Sequence, residues 1–159
     1  MTTLEGQTLA RTIILALERM AFVLAEEVAD ELAAELGPCR HLAMIGFRGQ
    51  GQDVKLFLGA SDGFLLEFTA NLLGLDETDF EMTRFGPQAI TELISLIGSE
   101  VIVMMGGTES DYTIESPRIL DEEELETMLV DEESPLTCYL ESEGEVLRAQ
   151  ILMKRVEAS

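Results

Sequence analysis

The sequence is short of the residues that metal and acid–base sites usually need. It has one histidine, His41, and only two cysteines, Cys39 and Cys138. That excludes any site requiring two imidazoles, a four-thiolate zinc site and a dense disulfide framework. Basic residues are also scarce, ten against 31 acidic, which leaves a net charge of −21. Such a surface repels polyanions, so neither nucleic acid nor an anionic membrane is expected as a partner. Charge-free stretches such as the one from Val101 to Thr108 fall far below the roughly 18 residues that span a bilayer. The N-terminus carries Glu5 before any basic residue, and Glu18 interrupts the apolar stretch from Ile13 to Leu17, so no export signal is read there. The expectation is a cytoplasmic protein. In a reducing compartment the two cysteines read as small buried side chains, with a redox pair as the alternative.

What is present describes a chain that folds: 47% of residues are hydrophobic and 26% charged, whereas a disordered acidic chain would be short of apolar residues. At roughly 150 residues per domain, residues 1–159 form a single domain. From the plausible N-cap Thr8, apolar residues recur at Leu9, Ile13, Leu17, Met20, Leu24, Val28 and Leu32, predicting one long helix that stops at Gly37-Pro38. His41-Leu-Ala-Met-Ile-Gly-Phe47 and Val54-Lys-Leu-Phe-Leu58 read as two strands joined by a glycine turn. Ser61 and Asp62 can cap a helix closed by Gly74, after which the acidic residues 76–81 form a solvated connection. A second long helix is predicted from Pro87 to Met105, ended by Gly106-Gly107. Residues 111–120 read as extended around Pro117, residues 121–133 as acidic with a short helical turn, and two final strands meet across Ser142-Glu-Gly144. Aligning Glu18 on Glu92 superimposes the two long helices, either by the coincidence of amphipathic periodicity or through a degenerate α-β-β repeat.

Several motif matches do not carry chemistry. Gly59-Ala-Ser-Asp-Gly63 has the spacing of a nucleophile elbow, but the single histidine precedes the serine and no general base follows it, so Ser61 reads as a helix cap. The glycines from Gly46 to Gly51 lack phosphate-loop spacing and read as a hairpin turn. The carboxylates in 76–81, 121–126 and 131–133 lack the alternating spacing of a calcium loop and read as solvated surface.

The second long helix is more informative. At about 100° per residue, Gln88, Glu92, Ser95 and Ser99 share a narrow arc, while Ile90, Leu93, Ile94, Ile97 and Val101 point the other way. In a chain crowded with glutamate, a polar face holding only Glu92 suits the receipt of another protein.

Glu92-Leu-Ile-Ser-Leu-Ile-Gly98, with the strand pair and the helix ending Asn71-Leu-Leu-Gly74 before it and extended Pro117 after it, resembles the CheX-like domain of the CheC/CheX/FliY chemotaxis phosphatases. The resemblance covers nearly the whole chain in element order. It implies an α+β CheC/CheX-like fold, long helices on a largely antiparallel sheet, and a homodimer joined through sheet edges. In that family a helix carries Asp or Ser, Glu four residues on and Asn three further, a pattern that falls here on Gln88, Glu92 and Ser95. Only the glutamate matches. The resemblance implies that Glu92 pairs with the lysine of a phosphorylated CheY-like receiver and that position 95 orients the water attacking the aspartyl phosphate. Gln88 and Ser99 would contact the partner, and no cofactor is expected in this chain, with Mg2+ carried by the receiver. A serine hydroxyl has a shorter reach and one fewer polar atom than an asparagine amide, so the resemblance implies receiver binding with impaired hydrolysis. Ala21 occupies the place where a second site on the first helix would want asparagine, so at most one site is expected. A non-catalytic receiver-binding module is the alternative, and an acidic cation-binding protein a more distant one.

Overall fold

The computed structural model describes residues 6–74, 82–130 and 135–156. Its elements run α1 (Gly6–Ala21), β1 (Glu26–Val28), α2 (Asp30–Glu35), β2 (His41–Gly49), β3 (Gln52–Ala60), α3 (Asp62–Leu73), α4 (Met82–Met104), β4 (Thr113–Ile114), β5 (Arg118–Leu120), α5 (Glu122–Val130), β6 (Leu136–Ser142) and β7 (Glu145–Arg155). Every strand pairing is antiparallel, in the order β1-β6-β7-β3-β2-β4, with β5 sharing the outer side of β2. The expected connection at 76–81 and the acidic run 131–133 lie outside the described residues.

Both hairpins form where the glycines predicted them. Gln50 and Gly51 take φ of 51° and 73°, and Glu143 and Gly144 take 53° and 79°, the paired left-handed conformation that matches the twist of a two-residue hairpin. β2 and β3 extend right up to their turn, through Arg48 and Asp53, which pair across the strands and join their side chains at 3.0 Å.

One sheet face carries Val54, Leu56 and Leu58 of β3 with Leu147, Ala149 and Ile151 of β7, and α1, α3 and α4 supply the apolar stripes that close over it. The opposite face carries Leu42, Met44, Phe57 and Leu152, covered in part by Leu125 of α5. Coverage on both faces explains why β2 is an almost unbroken apolar run rather than an alternating one. Cys39 belongs to the second cluster and Cys138 to the first, so they are free thiols on opposite sides of the sheet. Burial raises both thiols, Cys138 to about 12.

The first long helix is shorter than its periodicity predicts. It ends at Ala21, where Phe22 turns to φ 52° and the Val23 N–H bonds back to the Leu17 carbonyl at 3.1 Å. Val23 is fully buried, while Phe22 and Leu24 are exposed. The cause is tertiary: residues 26–28 leave the helix to pair with β6, and a separate short helix, α2, follows. The repeat is also larger than α-β-β. Helix, short outer strand, short helix and hairpin occur as α1, β1, α2, β2-β3 and again as α4, β4/β5, α5, β6-β7, and each half lends its short strand to the other's hairpin. Setting Glu18 on Glu92 would place buried Ala21 opposite half-buried Ser95, so that register does not superimpose the two buried stripes.

Two starts differ from expectation. Ser61 occupies the N-cap position of α3 without capping it; its hydroxyl accepts from the Val146 N–H at 3.1 Å, tying the helix start to β7. α4 begins at Met82 and contains Pro87 in its interior. The expected turn at 121 is α5, opened by a reciprocal box in which the Glu124 N–H donates to Asp121 Oδ1 at 2.8 Å and the Asp121 N–H to Glu124 Oε1 at 3.2 Å. The carboxylates of Asp121 and Glu124 therefore serve the helix end.

Gly49 closes β2 under the segment that leads into β4. A β-carbon there would run into the Asp111 carbonyl and lie 3.0 Å from Tyr112 Cα, and Tyr112 is itself set edge-on to Phe47 with ring centroids 5.6 Å apart. Gly49→Ala should therefore destabilise the fold by about 1–3 kcal/mol, a loss of several degrees in melting temperature. An unchanged melt would contradict this packing.

Candidate functional site

α4 separates its two stripes cleanly. Ile90, Leu93, Ile94, Ile97 and Val101 are at 0% exposure, and the helix lies along β2 and β3, with Gly98 facing Ile45. Residues Phe85–Met104 have a mean hydropathy of 1.3 and would by length and composition suffice for a membrane span, which the absence of long charge-free stretches had understated. In the fold this is the helix that fills the space between the sheet, α1 and α3.

The four residues singled out on the other stripe share one face. Gln88 and Glu92 are exposed, Ser95 and Ser99 half-buried. The Ser99 hydroxyl donates to the Ser95 backbone carbonyl at 3.2 Å, so it is engaged along the helix. Thr91 does the same one turn earlier, donating to the Pro87 carbonyl at 2.7 Å. Glu100, the next carboxylate on the helix, is held by Arg19 of α1 at 3.4 Å and so lies off the face. Ala21, the position that the Glu18–Glu92 alignment singles out on α1, is fully buried.

The N-terminal part of α4 is fixed from below by residues that periodicity does not reveal. The His41 ring packs against Gly86, where a β-carbon would collide with it, and its Nε2 lies 2.5 Å from Asp62 Oδ1. The histidine thus joins β2, the start of α3 and the turn of α4 just before Gln88, and it takes no part in a Ser61-centred site.

Beside Gln88 and Glu92 the C-terminal turns of α3 leave a groove of about 310 Å³. Phe68 and Ala89 form its buried floor, and Leu72, Leu73 and Phe85 its walls, with Gln88 and Glu92 on the rim. Thr69 also lines it, and its hydroxyl oxygen is shut off from solvent without a hydrogen-bond partner. Asn71 points away, donating to the Phe22 carbonyl at 3.3 Å. The only sequence signal for this groove is a pair of leucines, Leu72 and Leu73, at a helix end before Gly74, both substantially exposed. Among the described residues no group of three or more His, Cys, Asp or Glu side chains is arranged to hold a metal ion.

A long helix buried along one stripe, presenting a face with one exposed carboxylate, packs on a seven-stranded antiparallel sheet and gives an α+β domain. Its fold is that of a CheX/CheC-like domain. The chain is similar to chemotaxis protein CheX from Vibrio vulnificus, with 14% identity, a TM-score of 0.66 and coverage of 92% of this chain and 97% of that one. It is similar to a CheC-like superfamily protein from Shewanella sp. PV-4, with 11% identity, a TM-score of 0.66 and coverage of 96% and 99%. A third similar chain comes from a CheX–CheY–BeF3–Mg2+ complex of Borrelia burgdorferi, with 11% identity, a TM-score of 0.65 and coverage of 94% and 97%. No protein-family model and no curated protein matches the sequence.

Because Glu92 is exposed and Ser95 half-buried at a helix surface, neither should matter for folding. Glu92→Ala and Ser95→Asn should each melt within about 0.5 kcal/mol of wild type. A drop of many degrees for Glu92→Ala would make it a structural residue.

Proposed function

We propose that this chain binds phosphorylated CheY-like receiver domains through the Gln88, Glu92, Ser95 and Ser99 face of α4 and hydrolyses their aspartyl phosphate slowly. The observation that carries this reading is Glu92, the lone exposed carboxylate of a charge-poor face, at the place where the resemblance to the CheX-like phosphatases requires a glutamate, in a chain with their fold. The similarity to a CheX chain solved with CheY, BeF3 and Mg2+ supports the choice of partner.

In this reading the Glu92 carboxylate accepts hydrogen bonds from a receiver lysine and sets the register of the two proteins. Phosphoryl transfer is mainly a matter of positioning and electrostatics, so the remaining contribution of the chain is to orient the attacking water. Position 95 faces the same side of the helix as Glu92. The serine there has one oxygen close to the backbone, where an asparagine would project an acceptor and a donor further out. Loss of one well-placed hydrogen-bonding group lowers a rate by a factor of about 10² to 10³, which makes turnover slow while docking persists. Mg2+ belongs to the receiver. A binding module without turnover is the second reading, and the same serine favours it.

Phosphate release from a panel of phosphorylated receivers, with and without the protein, tests the proposal. Glu92→Ala should weaken receiver binding, and Ser95→Asn should raise dephosphorylation by about tenfold or more, the low end of one placed polar group. Unchanged turnover with retained binding would establish the non-catalytic module, and binding to no receiver would overturn the reading.

The reading includes a homodimer joined by sheet edges. β1 offers exposed Glu26 and Glu27, which discourage pairing, whereas β4 offers exposed Thr113 and Ile114 beside β2. Dimerisation should therefore use the β4 side, and light scattering that returns 17.5 kDa throughout the micromolar range would contradict it.

A further inference from the structure

The groove between α3 and α4 lies outside the polar face yet shares two residues with it, since Gln88 and Glu92 form its rim. Two features limit what can fill it. Its floor and walls are apolar, from Phe68, Leu72, Leu73 and Phe85, and its volume of about 310 Å³ is that of roughly ten liquid waters, enough for a large side chain with some backbone. Among the described residues the charge at the mouth is Glu92, on a chain of net charge −21, so the complementary occupant brings a cation to the rim, which a second copy of this acidic chain is poorly suited to do.

We infer that the groove is a specificity pocket for the receiver: it takes a large apolar side chain from the same segment that presents the cationic group to Glu92. The inference rests on the receiver-binding reading and adds to it a second, uncharged anchor contributed by α3. Apolar anchors buried next to a charge pair supply much of the energy at protein interfaces, while the charges set register and encounter rate. Receivers that share the lysine would then be told apart by the residue beside it.

The test measures affinity for a receiver loaded with beryllofluoride and Mg2+ at two salt concentrations. It uses wild type, Leu73→Asn, Leu72→Asn and Glu92→Gln. The leucines are 59% and 41% exposed, so both variants should keep the wild-type melting temperature, and either one alone suffices if the other fails to fold. The expected result is binding weakened about tenfold by the leucine changes with the salt dependence retained. Glu92→Gln should weaken binding and flatten the salt dependence. If Glu92→Gln weakens binding while both leucine variants bind as wild type does, the groove has no role and the inference is overturned, with the receiver reading intact. If wild type binds no receiver, the reading itself fails and the inference falls with it.

Discussion

The packing of α4 against the sheet is the constraint from which the functional surface follows. Ile90, Leu93, Ile94, Ile97 and Val101 have no exposed surface, and burying five such side chains is worth on the order of 10 kcal/mol before entropy is subtracted. A rotation of the helix by even a quarter turn would expose part of that stripe, so its polar stripe is held toward solvent by apolar packing on the far side of the helix. Glu92 is aimed by residues on the other side of its helix.

How much of this could be read in advance depended on whether the cause was local. The α4 stripes follow from the 3.6-residue period, and both hairpins follow from Gly51 and Gly144, so these were legible. The end of α1 was not. Residues 22–28 continue the apolar pattern without a proline or glycine, and the helix stops because β1 is claimed by β6, a strand more than a hundred residues away. Ser61 looked like a cap because its neighbours were right for one, yet its hydroxyl is drawn to β7. The polar face of the site was legible because it lies on one helix. The groove was not, because two helices make it, and only their packing brings Leu72 and Leu73 beside Glu92.

In the proposed receiver-binding reading, the serine at position 95 would divide a site's two tasks, docking and the orienting of water. Binding requires a charge that protrudes, and Glu92 has it. Orienting water requires an atom at a defined distance, and a side chain with a single oxygen near the backbone gives that up without disturbing the helix. The neighbouring hydroxyls of Thr91 and Ser99 are both folded back onto carbonyls one turn before them, so this stretch of α4 offers a smooth polar surface punctuated by one carboxylate.

The pairing of β3 with β7, from Gln52↔Arg155 to Ala60↔Leu147, also governs the order in which the domain can be made. β7 follows every other described strand in chain order and yet lies inside the sheet, between β3 and β6. During synthesis β3 must therefore wait with a nine-residue open edge until residues 145–155 have left the ribosome. Such an edge invites wrong partners, and the excess of negative charge spread along the chain would keep nascent copies apart during that interval.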